Sequence, residues 1–219
     1  GPVPAETIIE LMKTRVGQIL NSTTINQDIG AIQAYYADLG YLGYVTEDID
    51  VDAQTGVLTI PILVSTVESI EITGNRKTRT YVFLREMELK PGDYFNRRQL
   101  NEDIIAIYNL DILESIKLDE IQTLPGTQMG MIRIVIPVVE KKTGLVSLGF
   151  GYSSRQKLVG QARLNETNFR GKGQGVNLLW EQGTSGAVGG NSSYEVGFYE
   201  PWLDSRNTSL SVSAYNKVL

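Results

Sequence analysis

The C-terminal third of the chain, residues 145–219, alternates apolar residues with small or polar ones. Successive side chains of a β-strand point to opposite faces, so each alternating run predicts a strand with one apolar face and one polar face. Five runs follow this pattern, and their apolar members are Val146, Leu148, Phe150 and Tyr152; Ala162 and Leu164; Val176, Leu178 and Trp180; Tyr194, Val196 and Phe198; and Leu210, Val212 and Ala214. Length, glycine content and polar turns favour transmembrane barrel strands, although the period alone also fits a soluble sandwich.

The region before these strands contains an internal duplication at an offset of 75 residues, so that residue 28 aligns with residue 103. Ten positions match without a gap, namely Ile9, Met12, Gly17, Asn21, Ile25, Asn26, Asp28, Ile29, Ala31 and Ile32 with Leu84, Met87, Gly92, Asn96, Leu100, Asn101, Asp103, Ile104, Ala106 and Ile107. In each copy the apolar spacing predicts a long amphipathic helix. Capping-box spacing places the helix starts at Thr24 and Asn96.

Each copy also predicts a short first helix and a hairpin. The short helices are expected at residues 6–14 and 79–88, and the hairpins at residues 44–51 with 57–64 and 114–122 with 131–139. A strand at residues 67–73 precedes the second copy only, so its order is β-α-α-β-β. The first copy lacks that strand, and we expect either that upstream sequence was removed or that another segment fills the gap.

Composition excludes several classes of function. The chain has no cysteine and no histidine, and its formal net charge is -5. Without histidine the commonest general base and metal ligand is missing, which argues against an enzyme. The negative charge argues against nucleic acid as a partner. We expect no cofactor.

An acidic stretch weakly resembles a calcium-binding loop. Asp48, Asp50 and Asp52 alternate before a turn, but Ala53 stands where such a loop needs glycine and Thr59 where it needs a bidentate glutamate. We therefore expect a solvated strand face and no metal.

Two sequence motifs resemble the first periplasmic turns of the Omp85 (BamA-type) family. One runs from Asn168 through Phe169, Arg170, Gly171, Lys172 and Gly173 to Gln174, and the other runs from Phe198 to Leu203 through Glu200, Pro201 and Trp202. The duplicated region resembles the POTRA domains that such barrels carry. The resemblance implies an α+β class, with tandem β-α-α-β-β POTRA modules followed by an antiparallel β-sheet that is part of a transmembrane β-barrel. The expected domains are residues 1–65, 66–142 and 143–219.

The resemblance also implies a non-enzymatic role in assembling outer-membrane β-barrel proteins. Unfolded clients would add as strands to POTRA edges, because an edge offers free backbone groups. These edges comprise Tyr44, Val45, Thr46, Glu47, Ile49, Ser115, Ile116, Lys117 and Leu118. Equally, a neighbouring module could cover them. The first barrel strand would act as a lateral gate through Val146, Ser147, Leu148, Gly149, Phe150 and Gly151, although barrels also use glycine for close packing.

The expected location is the bacterial or plastid outer membrane, with the POTRA modules in the periplasm. Expected partners are unfolded outer-membrane proteins, outer-membrane lipids and accessory lipoproteins. We also expect the sheet to self-associate, since a chain that stops partway round a barrel leaves strand edges unpaired. Two alternatives stay open: a two-partner-secretion translocator that exports one polypeptide, and a soluble periplasmic binding module.

Overall fold

The computed structural model describes residues 1–154, 157–184, 192–204 and 206–217. The chain divides into two compact units: residues 1–71, 86–106 and 118–136, and residues 72–85, 107–117 and 137–219. Among the described residues, no helix is both long enough and apolar enough to cross a membrane. The predicted fold class, α+β modules followed by an antiparallel sheet, is confirmed.

The first copy of the repeat contains two helices and two short strand pairs. They are α1 (Ala5–Leu11), α2 (Ser22–Asp38), β1 (Gly43–Val45), β2 (Asp50–Val51), β3 (Leu58–Thr59) and β4 (Ile62–Val64). β1 pairs with β4, and β2 pairs with β3 at the tip of the hairpin. The core is built from Ile8, Ile32, Tyr36 and Val64, which places the apolar stripe of α2 against the sheet.

The second copy contains the leading strand that the first lacks. Its elements are β5 (Thr66–Thr73), α3 (Thr80–Leu84), α4 (Arg97–Tyr108), β6 (Leu113–Ile116), a 3-10 helix (Leu118–Glu120), β7 (Gln122–Pro125) and β8 (Met131–Glu140). The sheet order is β5-β8-β6, and β7 also pairs with β8. Ile107, on the apolar stripe predicted for the long helix, is completely buried, and so is Ile134 on β8.

The short first helices end earlier than predicted. The backbone N–H groups that follow them donate to buried carboxylates and not to carbonyls of the helix. Asp28 accepts hydrogen bonds from the N–H groups of Lys13 (2.5 Å) and Thr14 (3.0 Å). Burial opposes the charge on Asp28, but these bonds outweigh it and hold its pKa below the ordinary 3.8.

The predicted start of the first long helix is wrong by one turn. Asn21 caps α2, since its side chain accepts a hydrogen bond from Thr23 N–H at 2.8 Å. Asn96 caps α4 in the same way through Arg98 N–H at 2.9 Å. Gln99, however, donates to Asp103 at 3.1 Å and does not close a capping box.

The C-terminal strands form one antiparallel meander. They are β9 (Gly144–Ser153), β10 (Lys157–Phe169), β11 (Gln174–Gly183), β12 (Ser192–Glu200) and β13 (Leu210–Asn216). Their order in the sheet is β13-β12-β11-β10-β9, so each strand lies beside its neighbour in sequence.

Candidate functional site

The predicted edge strand of the first module is shorter than its sequence pattern indicates. The structure places Tyr44 and Val45 on β1, and the other three residues beyond its end: Thr46, Glu47 and Ile49. Thr46 N–H still donates to the carbonyl of Pro61 at 3.1 Å. Because backbone amides alternate in direction along an antiparallel strand, the N–H of Val45 faces the open side.

The second predicted edge shows the same interruption. Ser115 and Ile116 lie on β6, whereas Leu118 begins the 3-10 helix, so the prediction of one strand over residues 114–122 is wrong there. Lys117 N–H donates inward to the carbonyl of Pro137 at 3.2 Å. The amide that alternation directs outward is therefore that of Ile116.

A proline explains why each edge strand is interrupted. Pro61 precedes β4, and Pro137 lies within β8. Proline has no N–H, so the inner strand cannot donate to the outer one at that point, and the ladder breaks. Both edges are consequently short, which limits unwanted pairing.

The predicted gate strand, β9, is the terminal strand of its sheet, with β10 as its partner in the described part of the chain. The carbonyl of Thr143, just before β9, accepts a hydrogen bond from Thr167 N–H at 3.3 Å. Backbone N–H groups alternate in direction along an antiparallel strand. Counting from the hydrogen-bonded pair of Thr143 and Thr167, every second N–H of β9 points away from β10, toward the open edge. The outward amides belong to Val146, Leu148 and Phe150, and the inward ones to Ser147, Gly149 and Gly151.

The apolar faces of four neighbouring strands, β9 to β12, align into continuous rows. Val146 lies opposite Leu164, Leu164 opposite Leu178, and Leu178 opposite Val196. The next row consists of Leu148, Ala162, Trp180 and Tyr194. Phe150 is 85% exposed, so the described residues leave this face of β9 uncovered.

Two gate glycines differ in their surroundings. A Cβ at Gly149 would lie 2.8 Å from Gln161 Nε2 across the strand pair, so a side chain there would require the flexible end of Gln161 to shift. A Cβ at Gly151 would meet nothing within 4 Å. Gly151 is thus the position where glycine loosens the strand without a packing reason.

The turn between β10 and β11 is anchored by Asn168, which is 1% exposed. Its Nδ2 donates to Thr78 Oγ1 and its Oδ1 accepts from Gly173 N–H, both at 2.8 Å. Arg79 N–H also donates to the carbonyl of Gly171 at 2.9 Å. The turn is therefore bonded to the segment that precedes α3.

Gly171 is required for this approach. Its φ is +71°, in the left-handed region, and a Cβ there would overlap the carbonyl of Lys77. The motif that supports the family resemblance is thus a steric requirement of this turn.

Glu140, at the end of β8, binds the same segment from another side. Its carboxylate accepts hydrogen bonds from the successive N–H groups of Arg76 (2.9 Å), Lys77 (2.8 Å) and Thr78 (2.6 Å). Burial opposes its charge, but these donors outweigh burial and hold the pKa of Glu140 below its ordinary 4.5.

Lys77 extends the network to the start of the gate strand. Its Nζ donates to Thr143 Oγ1 at 2.7 Å and to Glu166 at 2.9 Å. We call Lys77, Thr78, Glu140, Glu166 and Asn168 the anchor cluster. It connects the segment before α3 with the base of β9 and β10.

The second family motif also contacts this region. The Arg85 guanidinium lies 5.5 Å from the ring centroid of Trp202 and 5.9 Å from that of Tyr81, within the range of cation–π attraction. Trp202 is therefore held in place by Arg85, the residue that follows the end of α3.

Sequence reasoning finds one of the five members of the anchor cluster, Asn168. The Asn168 motif indicates the turn, but nothing local marks Glu140, because its partners lie 62 to 64 residues away. The acidic stretch has a structural role, since Asp52 caps the hairpin turn by accepting from Gln54 N–H at 2.8 Å. In the described residues, no group of three His, Cys, Asp or Glu side chains could hold a metal.

Comparisons with known proteins agree with this architecture. A POTRA family model, described as surface antigen variable number repeat, matches residues 2–64 and residues 65–141. A Treponema pallidum (strain Nichols) protein, described as an outer membrane protein assembly factor, is 28% identical over 207 residues. That alignment covers 88% of this chain and 23% of that protein, so the chain spans under a third of this relative.

Two solved structures share the fold. BamA from Haemophilus ducreyi lacking POTRA domains 1-3 matches with a TM-score of 0.60 and 19% identity, over 95% of this chain and 39% of that one. CdiB from Escherichia coli matches with a TM-score of 0.58 and 17% identity, over 98% of this chain and 40% of that one. At these identities the similarity concerns the fold alone.

Proposed function

Because the chain belongs to the POTRA-containing Omp85 family of outer-membrane proteins, we propose that it is part of an assembly factor in which β9 receives incoming client strands. The observation that carries this proposal is the terminal position of β9. Its outward amides, at Val146, Leu148 and Phe150, are arranged to pair with an extended polypeptide. The clients are unfolded outer-membrane proteins, which must form the same kind of ladder.

The exposed apolar rows favour the interpretation of the sheet as part of a barrel wall and not as half of a sandwich. A sandwich would bury this face against a second sheet, yet Val146 is 68% and Phe150 is 85% exposed in the described structure. In a bilayer the same rows would face acyl chains. Outer-membrane lipids are therefore the second class of partner that we propose.

The POTRA edges take a smaller part in this proposal. Val45 and Ile116 each present an outward amide on a strand of only three or four residues. A hydrogen bond contributes about 0.5–1.5 kcal/mol net, so one edge alone holds a client only weakly. Weak and sequence-tolerant contacts suit transient handling of many clients before they reach β9.

Proline at Leu148 tests the proposal, since it removes an outward amide from an edge position. Leu148→Ala is the matched control, because it loses the side chain and keeps the N–H. We expect Leu148→Pro to slow insertion of a urea-unfolded small outer-membrane barrel roughly fivefold, by loss of about 1 kcal/mol of pairing. Insertion would be followed in lipid vesicles that contain the full-length protein.

The outcomes separate the candidate functions. Equal rates for the two variants, with both folded, would contradict strand addition at β9. A two-partner-secretion role, which the similarity of fold to CdiB also fits, predicts no barrel insertion by the unmodified protein and transport of one long polypeptide into the vesicles.

A further inference from the structure

The two ends of the predicted gate strand β9 are held in different ways. Thr143, the residue before β9, is only 8% exposed. Its Oγ1 accepts a hydrogen bond from Lys77 Nζ at 2.7 Å and donates one to Glu166. Its backbone carbonyl also accepts the N–H of Thr167. The chain is therefore fixed at this point by side-chain bonds in addition to the strand ladder.

Glu166 is the centre of these bonds. It lies on β10 opposite Gly144, the first residue of β9. Its Oε1 accepts hydrogen bonds from Thr143 Oγ1 and, at 2.8 Å, from Asn168 N–H. Its Oε2 accepts from Lys77 Nζ at 2.9 Å. Hydrogen bonds to an ionised group are roughly twice as strong as neutral ones, so Glu166 fixes the start of β9 firmly to the end of β10.

The backbone that carries the Lys77 cation is itself fixed. Lys77 N–H donates to Glu140 on β8 at 2.8 Å, and the neighbouring Thr78 N–H donates to the same carboxylate at 2.6 Å. Thr78 Oγ1 also accepts from Asn168 Nδ2. The start of β9 is thus linked to β8, to β10 and to the segment before α3.

The other half of β9 is rich in glycine. Gly149 and Gly151 lie within it, and Gly160 stands opposite Phe150 on the partner strand. Glycine weakens a strand, because it adds no side-chain packing and loses more conformational entropy on folding than other residues. A Cβ at Gly151 would meet nothing within 4 Å, so close packing does not hold the strand at that point. We therefore expect β9 to be loosest in this half.

An incoming strand pairs most readily where the edge is already ordered. Ordering a backbone costs conformational entropy, so an edge residue that is held in advance binds a client strand at a lower entropic cost. Of the outward amides described above, that of Val146 lies nearest to Glu166, and that of Phe150 lies in the glycine-rich half. The open edge of β9 therefore differs along its length.

We propose that Glu166 is a positioning residue for strand addition. Through Thr143 and Lys77 it fixes the start of β9, so that an incoming strand pairs first at Val146 and then extends toward Phe150. This inference rests on the reception of clients at β9 proposed above and adds the direction in which they pair. Glu166 lies on β10, away from the open edge, and therefore acts on the client only through β9.

Hydrogen exchange tests the fixed start of β9 without a client. Protection factors of the inward amides are compared in the full-length protein in lipid vesicles, with Leu145 and Ser147 near Glu166, and Gly149 and Gly151 beyond them. We expect about tenfold more protection at the first pair, since local opening begins where contacts are weakest. Glu166→Gln should remove most of this difference by loosening the first pair, because glutamine offers only one oxygen to the three donors.

Disulfide cross-linking tests the direction of pairing. The chain has no cysteine, so Val146→Cys and Phe150→Cys each introduce a single thiol. The client is a urea-unfolded small outer-membrane barrel with one cysteine in a terminal strand, and the vesicles contain the full-length protein without other cysteines. Rates are corrected for the intrinsic reactivity of each thiol. We expect cross-links at residue 146 to form about fivefold faster than at residue 150, the difference expected of about one hydrogen bond. Glu166→Gln should remove this difference by slowing the first cross-link.

Three further variants separate positioning from a general effect on folding. Thr143→Val keeps the shape of the side chain and loses its hydroxyl, so it should reproduce the effect of Glu166→Gln. Thr143→Ser keeps the hydroxyl and should behave as the unmodified protein does. Glu195→Gln, on β12 and outside the anchor cluster, controls for the loss of a carboxylate and should leave the order of cross-linking unchanged.

The results that would overturn the proposal differ from those that would overturn the proposed function. Equal rates at the two thiols of the unmodified protein, or an order that Glu166→Gln leaves intact, would contradict the positioning role and leave strand reception at β9 standing. A uniform loss of protection at all four inward amides, with equal slowing of both cross-links, would show that Glu166 only stabilises the sheet. Cross-links at neither thiol would contradict strand reception at β9 itself, and the positioning role with it.

Discussion

The POTRA modules and the C-terminal sheet place the same kinds of side chain in opposite environments. Ile107 and Ile134 are completely buried in the second module, whereas Val146 and Phe150 on β9 are 68% and 85% exposed. Burial away from water is the main favourable contribution to folding, so the modules carry their own driving force and the apolar face of the sheet does not. The comparison shows that an alternating pattern is enough to predict a strand. Whether the apolar face of that strand packs in a protein core or stays exposed has to be read from the structure.

The largest expected effect comes from shortening one apolar side chain in each region. Ile107→Ala should reduce the free energy of unfolding by about 2–5 kcal/mol, because it leaves a cavity. Phe150→Ala should change it by less than about 0.5 kcal/mol in buffer. Urea unfolding measures both changes, followed by the helical circular dichroism of the modules and by the fluorescence of Trp180 and Trp202.

Ile105→Ala is the matched control for Ile107, since it lies on the same helix and is 59% exposed. It should have little effect. A loss of stability with Phe150→Ala comparable to that with Ile107→Ala would mean that the face is buried, and would favour the soluble module.

A smaller effect is expected at the anchor cluster. Asn168→Ala leaves Thr78 Oγ1 and Gly173 N–H without their partner, which should cost about 1–3 kcal/mol locally. Limited trypsin digestion reports it, because Arg76, Lys77 and Arg79 all lie in the anchored segment. We expect cleavage there to accelerate about tenfold, since opening is the limiting step.

Asn165→Ala, on the same strand, is the control for this experiment because no member of the anchor cluster bonds to its side chain. Equal cleavage rates for the two variants would show that the turn does not hold the segment.

The sequence predicts most elements of both regions, because helices and strands leave periodic patterns within a few residues. The repeat could also have corrected the start of α2, since it aligns Asn21 with Asn96 before any capping pattern is considered. The hairpin interruptions had a signal too, in the Ile-Pro pairs at Pro61 and Pro137. What local pattern could not indicate is the anchor cluster, whose bonds join residues far apart in the chain.

The smallest expected effect is the pH dependence of that cluster, through Glu140. Its pKa is depressed in the folded protein by the amides of Arg76, Lys77 and Thr78, so its stabilisation is fully present above the unfolded value near 4.5. It is lost as the pH falls through the lower folded value, because the protonated carboxyl accepts fewer hydrogen bonds. Glu140→Gln should therefore be less stable than the unmodified protein at pH 7, and the gap should narrow as the pH falls below 4.5 and through the lower folded pKa. Urea unfolding at a series of pH values measures the gap, with Glu114→Gln at an exposed position as the control. A gap that stayed constant across the acidic end of the series would show that the ionised carboxylate is not what holds the segment, and that the bonds of Asn168 and Lys77 hold it instead.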